Sequence, residues 1–190
     1  VYETSRVNRL SLNARGGFKL GDWRGSGTHG VGYRMRASTI LGKEKDDFYG
    51  DYVGGLTGAR GYPFYALGGN ETLWAQASWI VPLVTHANRH AFFTYLDKVY
   101  LRLYADAAMA WSGEWPGMSS AKKDVGAEIR FGIESFYLLP TALFVSATYG
   151  LDQFDFELDE GFVTPDGERS VSYGHDWQWH LGLLFGFDQF

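Results

Sequence analysis

The run "WQWHLGLLFGF", residues 177–187, alternates with a period of two. Its odd positions, Trp177, Trp179, Leu181, Leu183, Phe185 and Phe187, are apolar. The positions between them, Gln178, His180, Gly182, Leu184 and Gly186, are mostly polar or small. A period of two puts each set on its own face of a β-strand. Six upstream runs repeat the pattern: "RLSLNAR", "VGYRMRASTIL", "LWAQASWIVP", "VYLRLYADAAMAW", "VGAEIRFGIE" and "LFVSATYG". They give seven strands of roughly ten residues each. Helix signals are weak beside them.

The chemistry of the two faces decides where such strands can sit. One face carries Arg34, Arg36, Arg102, Asp106, Glu128 and Arg130, interspersed with glycine. The other is apolar and ends in aromatics such as Trp79, Tyr149, Trp177 and Trp179. A soluble sandwich or a lipocalin-like cup buries its apolar face and wets the other; the charged set is a poor lining for either. An apolar outside, a polar inside and aromatic girdles describe a transmembrane β-barrel, in which a closed sheet pairs every backbone group internally. The expected fold is therefore all-β, an antiparallel transmembrane barrel occupying residues 1–190 as one domain.

Composition narrows the function. The 190 residues contain no cysteine, so no disulfide framework and no thiolate site. A formal net charge of -5 argues against a nucleic-acid partner. No stretch approaches the ~20 apolar residues of a membrane helix. Valine at position 1, with no signal segment after it, suggests a processed chain or the C-terminal part of a longer one. Bacterial single-chain barrels have even strand numbers, and seven strands leave an open edge. Either residues 1–5 are a stub of an eighth strand, or further strands precede residue 1; the second is the preferred expectation.

Connections are expected to alternate in length: a tight turn at 136–140, long polar segments at 111–122 and 152–171, and rather long connections at 16–28 and 85–97. With the C-terminus periplasmic, the longest segment, 42–71, falls outside. It holds "LTGARGYPFYALGG", one arginine among glycines and aromatics. The plain reading of that stretch is a Gly-Pro surface turn.

Three features together resemble the BamA-type superfamily, the bacterial surface antigen barrels that include outer-membrane insertases and two-partner-secretion transporters. "GARGYPF" is similar to the Arg-Gly-Phe/Tyr motif of the long loop that folds into the lumen of those barrels. "LYADAAMAW" resembles the next-but-one strand, whose inward aspartate meets that arginine. "HLGLLFGF" fits the C-terminal assembly signal, with His180, Gly182, Phe185 and Phe187 near the terminal Phe190. The resemblance is best over 54–190 and implies the C-terminal portion of a barrel of ~16 strands.

It further implies that Arg60 pairs with Asp106, that Gly61 permits close packing, that Tyr62 and Phe64 pack on the inner wall, and that Pro63 stiffens the tip. Family insertases often carry an inward glutamate on the strand after the loop; here Ser78 stands there, and Glu128 is the candidate substitute. The implied role is positional, not catalytic, with neither cofactor nor metal. The implied location is the outer membrane of a Gram-negative bacterium. Implied partners are outer-membrane lipid and lipopolysaccharide, the barrel-assembly machinery, and polypeptide substrates or other subunits of a membrane complex. The alternatives are a barrel that anchors, or forms a pore for, an upstream propeller or enzyme module, and a self-contained eight-stranded protein.

Other candidate sites are thin. His86 and His90 stand four apart, a spacing usable for a metal on a helix, but lie in a connection. "DQFDFELDEG" places Asp155, Glu157 and Asp159 between apolar residues without the spacing of a calcium loop, and reads as a hairpin extension with one charged face.

Overall fold

Alternating β-branched, aromatic and small residues make strands, and the expected runs all form them. A computed structural model describes residues 8–41, 50–91, 94–135, 139–158 and 163–185. The strands are β1 (Asn8–Asp22), β2 (Thr28–Leu41), β3 (Asp51–Tyr52), β4 (Gly68–Gly69), β5 (Glu71–Val84), β6 (Arg89–Ala91), β7 (Thr94–Trp111), β8 (Lys122–Ser135), β9 (Leu139–Gly150), β10 (Phe154–Glu157), β11 (Ser170–Tyr173) and β12 (Trp177–Phe185). The main sheet is antiparallel and runs β1-β2-β5-β7-β8-β9-β12, with β6 added to β7. Among the described residues β1 and β12 do not pair, so the sheet is open and has two edges.

Two segments expected as long connections are largely strand. β1 runs on to Asp22 and β2 starts at Thr28, leaving a turn in which the Asp22 carboxylate accepts hydrogen bonds from the Gly25 and Gly27 N–H groups. Gly16 and Gly17, where the connection was expected to begin, lie within β1. Gly16 pairs with Tyr33, and a Cβ there would sit 2.6 Å from the Tyr33 hydroxyl; the glycine accommodates the ring. Within 85–97, β6 forms a ladder with the start of β7. The β5–β7 register shifts between Pro82 and Val84, where proline has no N–H to give to the ladder. In the expected turn 136–140, residues 136–138 lie outside the described residues, and Pro140 belongs to β9 opposite Glu134.

Register keeps the two chemistries apart across the whole sheet. One row joins Phe18, Val31, Trp79, Leu103, Ala127, Ala147 and Trp179 through successive strand pairs. The burial is the reverse of a soluble protein. Leu12, Trp179 and Leu181 on the apolar face are 71%, 71% and 73% exposed. Asp106, Asp124, Glu128 and Thr148 on the polar face are all buried. The cover over the polar face is the segment 50–70. Its Val53, Ala59, Tyr62, Ala66 and Leu67 cluster with Trp74 of β5 and Ala108 of β7 to form the hydrophobic core. The β10–β11 hairpin, the extension expected from its sequence, adds Phe154 and Tyr173 beside that core.

Candidate functional site

The glycine-rich segment is folded, not loose. β3 pairs with β4 at its base. Above them the Val53 N–H donates to Leu67 O (3.0 Å), Ala59 N–H to Val53 O (2.7 Å) and Gly55 N–H to Tyr62 O (2.8 Å). The Ala66 N–H donates to Pro63 O (3.2 Å), closing the tip. These internal bonds turn a breaker-rich sequence into a compact knob with defined edges.

The knob docks on the polar face through its tip. Arg60 donates to Glu128 Oε2 at 2.7 Å, and both are buried. The guanidinium also lies over the Tyr104 ring, 4.9 Å from its centroid. Arg130 donates to the other oxygen of Glu128 at 2.6 Å. The Gly61 N–H donates to Asp124 Oδ2 at 3.0 Å. A Cβ on Gly61 would meet Asp124 Cβ at 2.6 Å and the Gly150 backbone at 3.0 Å, so the contact needs glycine.

Tyr62 extends the dock toward β9. Its hydroxyl lies 2.8 Å from Lys123 O and 3.0 Å from Asp152 O, and it accepts from the Asp152 N–H at 3.1 Å. Its ring is buried against Phe154. Burial pushes the phenol's pKa up to about 12, because the phenolate would lose its hydration.

A second clasp holds the base. The Asp51 carboxylate is bonded by Arg9, Ser38 and Thr72, the last at 3.0 Å, with Arg36 at 3.5 Å. Burial alone would raise the Asp51 pKa. The Ser38 and Thr72 hydroxyls and the Arg9 and Arg36 charges outweigh burial and hold it below the ordinary value.

Two expectations for the tip are corrected. Arg60 pairs with Glu128, the candidate substitute, and not with Asp106; no Arg60–Asp106 ion pair lies within 4.0 Å. The tip leans on β7 and β8, where the Tyr104 ring of β7 lies under the guanidinium and Asp124 of β8 holds the Gly61 N–H. Asp106 stands opposite Asp124 in the ladder, and neither of its oxygens accepts a hydrogen bond among the described residues. Phe64 does not pack on the wall: it is 53% exposed and lies over Gly55 of its own loop. The chain reverses after Pro63, which turns Phe64 away from the sheet.

The remaining expected positions are scattered. Ser78 is buried opposite Tyr104 and donates to Gly32 O at 3.4 Å. His180 and Gly182 lie on the polar face of β12, opposite Ser146 and Phe144. Phe185 pairs with Thr141, while Phe187 and Phe190 lie outside the described residues. His90 packs against the Tyr95 ring at 4.7 Å.

Sequence reasoning missed Asp51, Tyr104, Asp124 and Asp152. Asp124 and Tyr104 were findable, because both fall on the even, polar-facing positions of their strands. Asp51 and Asp152 carry no such signal. No family model, curated protein or solved structure matches the chain.

Proposed function

We propose that this chain is the C-terminal portion of an outer-membrane β-barrel of the protein insertion and translocation superfamily, with the 50–70 segment bracing its lumen. One observation carries the reading. Across the seven strands the apolar face is largely exposed in register, while the polar side chains of β5, β7, β8 and β9 are buried beside a loop of the same chain. In water that arrangement would leave a contiguous apolar sheet uncovered. In lipid it is the stable one, since hydrocarbon covers the apolar side chains and polar groups pair inside.

Length and aromatics support the same reading. β9 and β7 have 12 and 18 residues, enough for the roughly 9–11 a tilted strand needs to cross the hydrocarbon. Tyr149 and Trp177 pack together where β12 begins, and Trp79 packs with Trp23 and His29 beside the β1–β2 turn. The open edges of β1 and β12 are the places where further strands complete the barrel. The loop's work is to fix lumen shape by tying β2, β5, β8 and the β9–β10 connection to one knob.

The absence of cysteine allows a direct test. Single cysteines at Val145, Leu181, Ser146 and Gln178 are introduced, and the protein is fractionated and probed in intact membranes. The expected result is outer-membrane residence, with Val145→Cys and Leu181→Cys shielded from a water-soluble maleimide by lipid. A soluble protein with both positions labelled rapidly overturns the reading. The coding sequence upstream of residue 1 separates an insertase or transporter from a barrel anchoring a different module.

A further inference from the structure

Short hydrogen bonds fix the β1–β2 turn. The Trp23 N–H donates to Gly27 O and the Ser26 N–H to Trp23 O, both at 2.8 Å. The Asp22 carboxylate is occupied by the Gly25 and Gly27 N–H groups. Between them Arg24 takes a φ of 49°, a left-handed conformation that a residue other than glycine holds only at a cost. Its guanidinium lies over the Trp23 ring, 5.6 Å from the centroid.

Trp23 is in turn locked to the apolar face. Its ring meets Trp79 edge-on and His29 at a tilt, with centroids 5.3 Å away in both cases. Trp79 Nε1 donates to His29 Nδ1 at 3.1 Å, which leaves the proton of the neutral imidazole on Nε2. Trp79 pairs with Val31, and Val31 with Phe18, in the apolar row; His29, two residues before Val31, faces the same way. Phe18 and Val31 are exposed. The apolar wall of β1 and β2 therefore ends in three stacked rings with a guanidinium over the outermost.

Donors at this turn outnumber acceptors. Arg24 is exposed and has no ion pair within 4.0 Å among the described residues, since Asp22 serves the backbone of the turn. Neither the Trp23 Nε1–H nor the His29 Nε2–H has an acceptor among the described residues. We propose that the turn binds the headgroup of an anionic phospholipid, with Arg24 on the phosphate and the Trp23, Trp79, Phe18 and Val31 side chains against the acyl chains. A guanidinium fork meets two phosphate oxygens at once, and indole rings favour the boundary between headgroup and hydrocarbon. A soluble anion would leave the apolar wall unused, and an uncharged lipid would leave Arg24 unanswered. The inference rests on the membrane reading, which sets hydrocarbon against this wall.

The test uses the full-length protein in a nonionic detergent, titrated by calorimetry with short-chain phosphatidylglycerol at constant ionic strength. Parallel arms use short-chain phosphatidylcholine, whose phosphate is offset by a cation, and inorganic phosphate, which lacks the chains. The expected result is saturable binding of phosphatidylglycerol, weaker binding of phosphatidylcholine and none of inorganic phosphate. Arg24→Gln weakens the first roughly tenfold, the loss of one charge-assisted bond. Arg24→Lys, which keeps the charge, binds more tightly than Arg24→Gln. Arg169→Gln, just before β11, leaves binding unchanged. No binding of phosphatidylglycerol, equal binding of either comparison compound, or full affinity in Arg24→Gln overturns the proposal. The membrane reading fails separately, by rapid labelling of the Val145 and Leu181 cysteines; with those shielded, a negative titration sinks the headgroup site alone.

Discussion

Arg60, at the tip of a glycine-rich loop, donates a 2.7 Å hydrogen bond to Glu128, 68 residues further along the chain. That pair joins the least regular part of the chain to one of its most regular. It explains why a breaker-rich segment holds a fixed position: internal backbone bonds give the knob its shape, and one buried ion pair gives it an address.

The two partners are not equivalent, because Glu128 also holds Arg130. Arg60→Ala leaves Glu128 with Arg130, whereas Glu128→Gln leaves two guanidiniums without their carboxylate. Breaking a buried pair costs ~3–5 kcal/mol; Arg60→Ala is expected near the lower end and Glu128→Gln near the upper. Urea unfolding of both variants, with tryptic sensitivity of the loop, checks the order. Equal losses would place Arg130 outside the interaction.

Tyr62 offers a separate handle. Tyr62→Phe keeps the ring against Phe154 but removes the hydroxyl that meets Lys123 O and Asp152, at a cost of ~1–3 kcal/mol. The phenol's pKa is raised by burial to about 12, so folding favours the protonated form. Its contribution is complete below the unfolded value, near 10, and is lost as pH rises toward about 12. Ultraviolet titration of the phenolate alongside loop proteolysis should show docking fail in that window. The Phe variant should lose this alkaline step.

Asp51 works at the opposite end of the pH scale. Its pKa is held below the ordinary value, so its contribution is present above the unfolded value, near 3.9, and disappears as pH falls through the folded one. Acidification should free the base of the loop in the parent. In Asp51→Asn the clasp is weak at every pH and that acid step is absent. Proteolysis with an acid-active protease, mapped to residues 50–56, reads the difference.

Alternation made the sheet legible in the sequence: each of the seven runs is a strand, and each faces the way its chemistry suggests. The connection expected at 16–28 is mostly strand, because Gly16 within it makes room for the Tyr33 ring and does not break the ladder. The site was half legible. A lone arginine in a breaker-rich loop announces a partner, and the inward acids name the candidates. Choosing Glu128 over Asp106 required the placement of the tip, held by Tyr104 of β7 and Asp124 of β8, which no local pattern encodes. Asp51 was invisible because its partners, Arg9, Ser38 and Thr72, come from three strands that meet only in the folded chain.

Leu181 tests the membrane reading through stability alone. It is 73% exposed in the middle of β12, while its neighbour Gln178 faces the polar side. In a soluble protein an exposed leucine changed to arginine alters stability by no more than ~0.5 kcal/mol. On a lipid-facing strand near the midplane the same change costs ~2–4 kcal/mol. Refolding Leu181→Arg and Gln178→Arg into phospholipid vesicles, with urea titration, separates the cases. The expected outcome is a large loss for Leu181→Arg and a small one for Gln178→Arg. The reverse order would mean that the apolar face meets protein or water instead of hydrocarbon, because only hydrocarbon penalises a charge at a position this exposed.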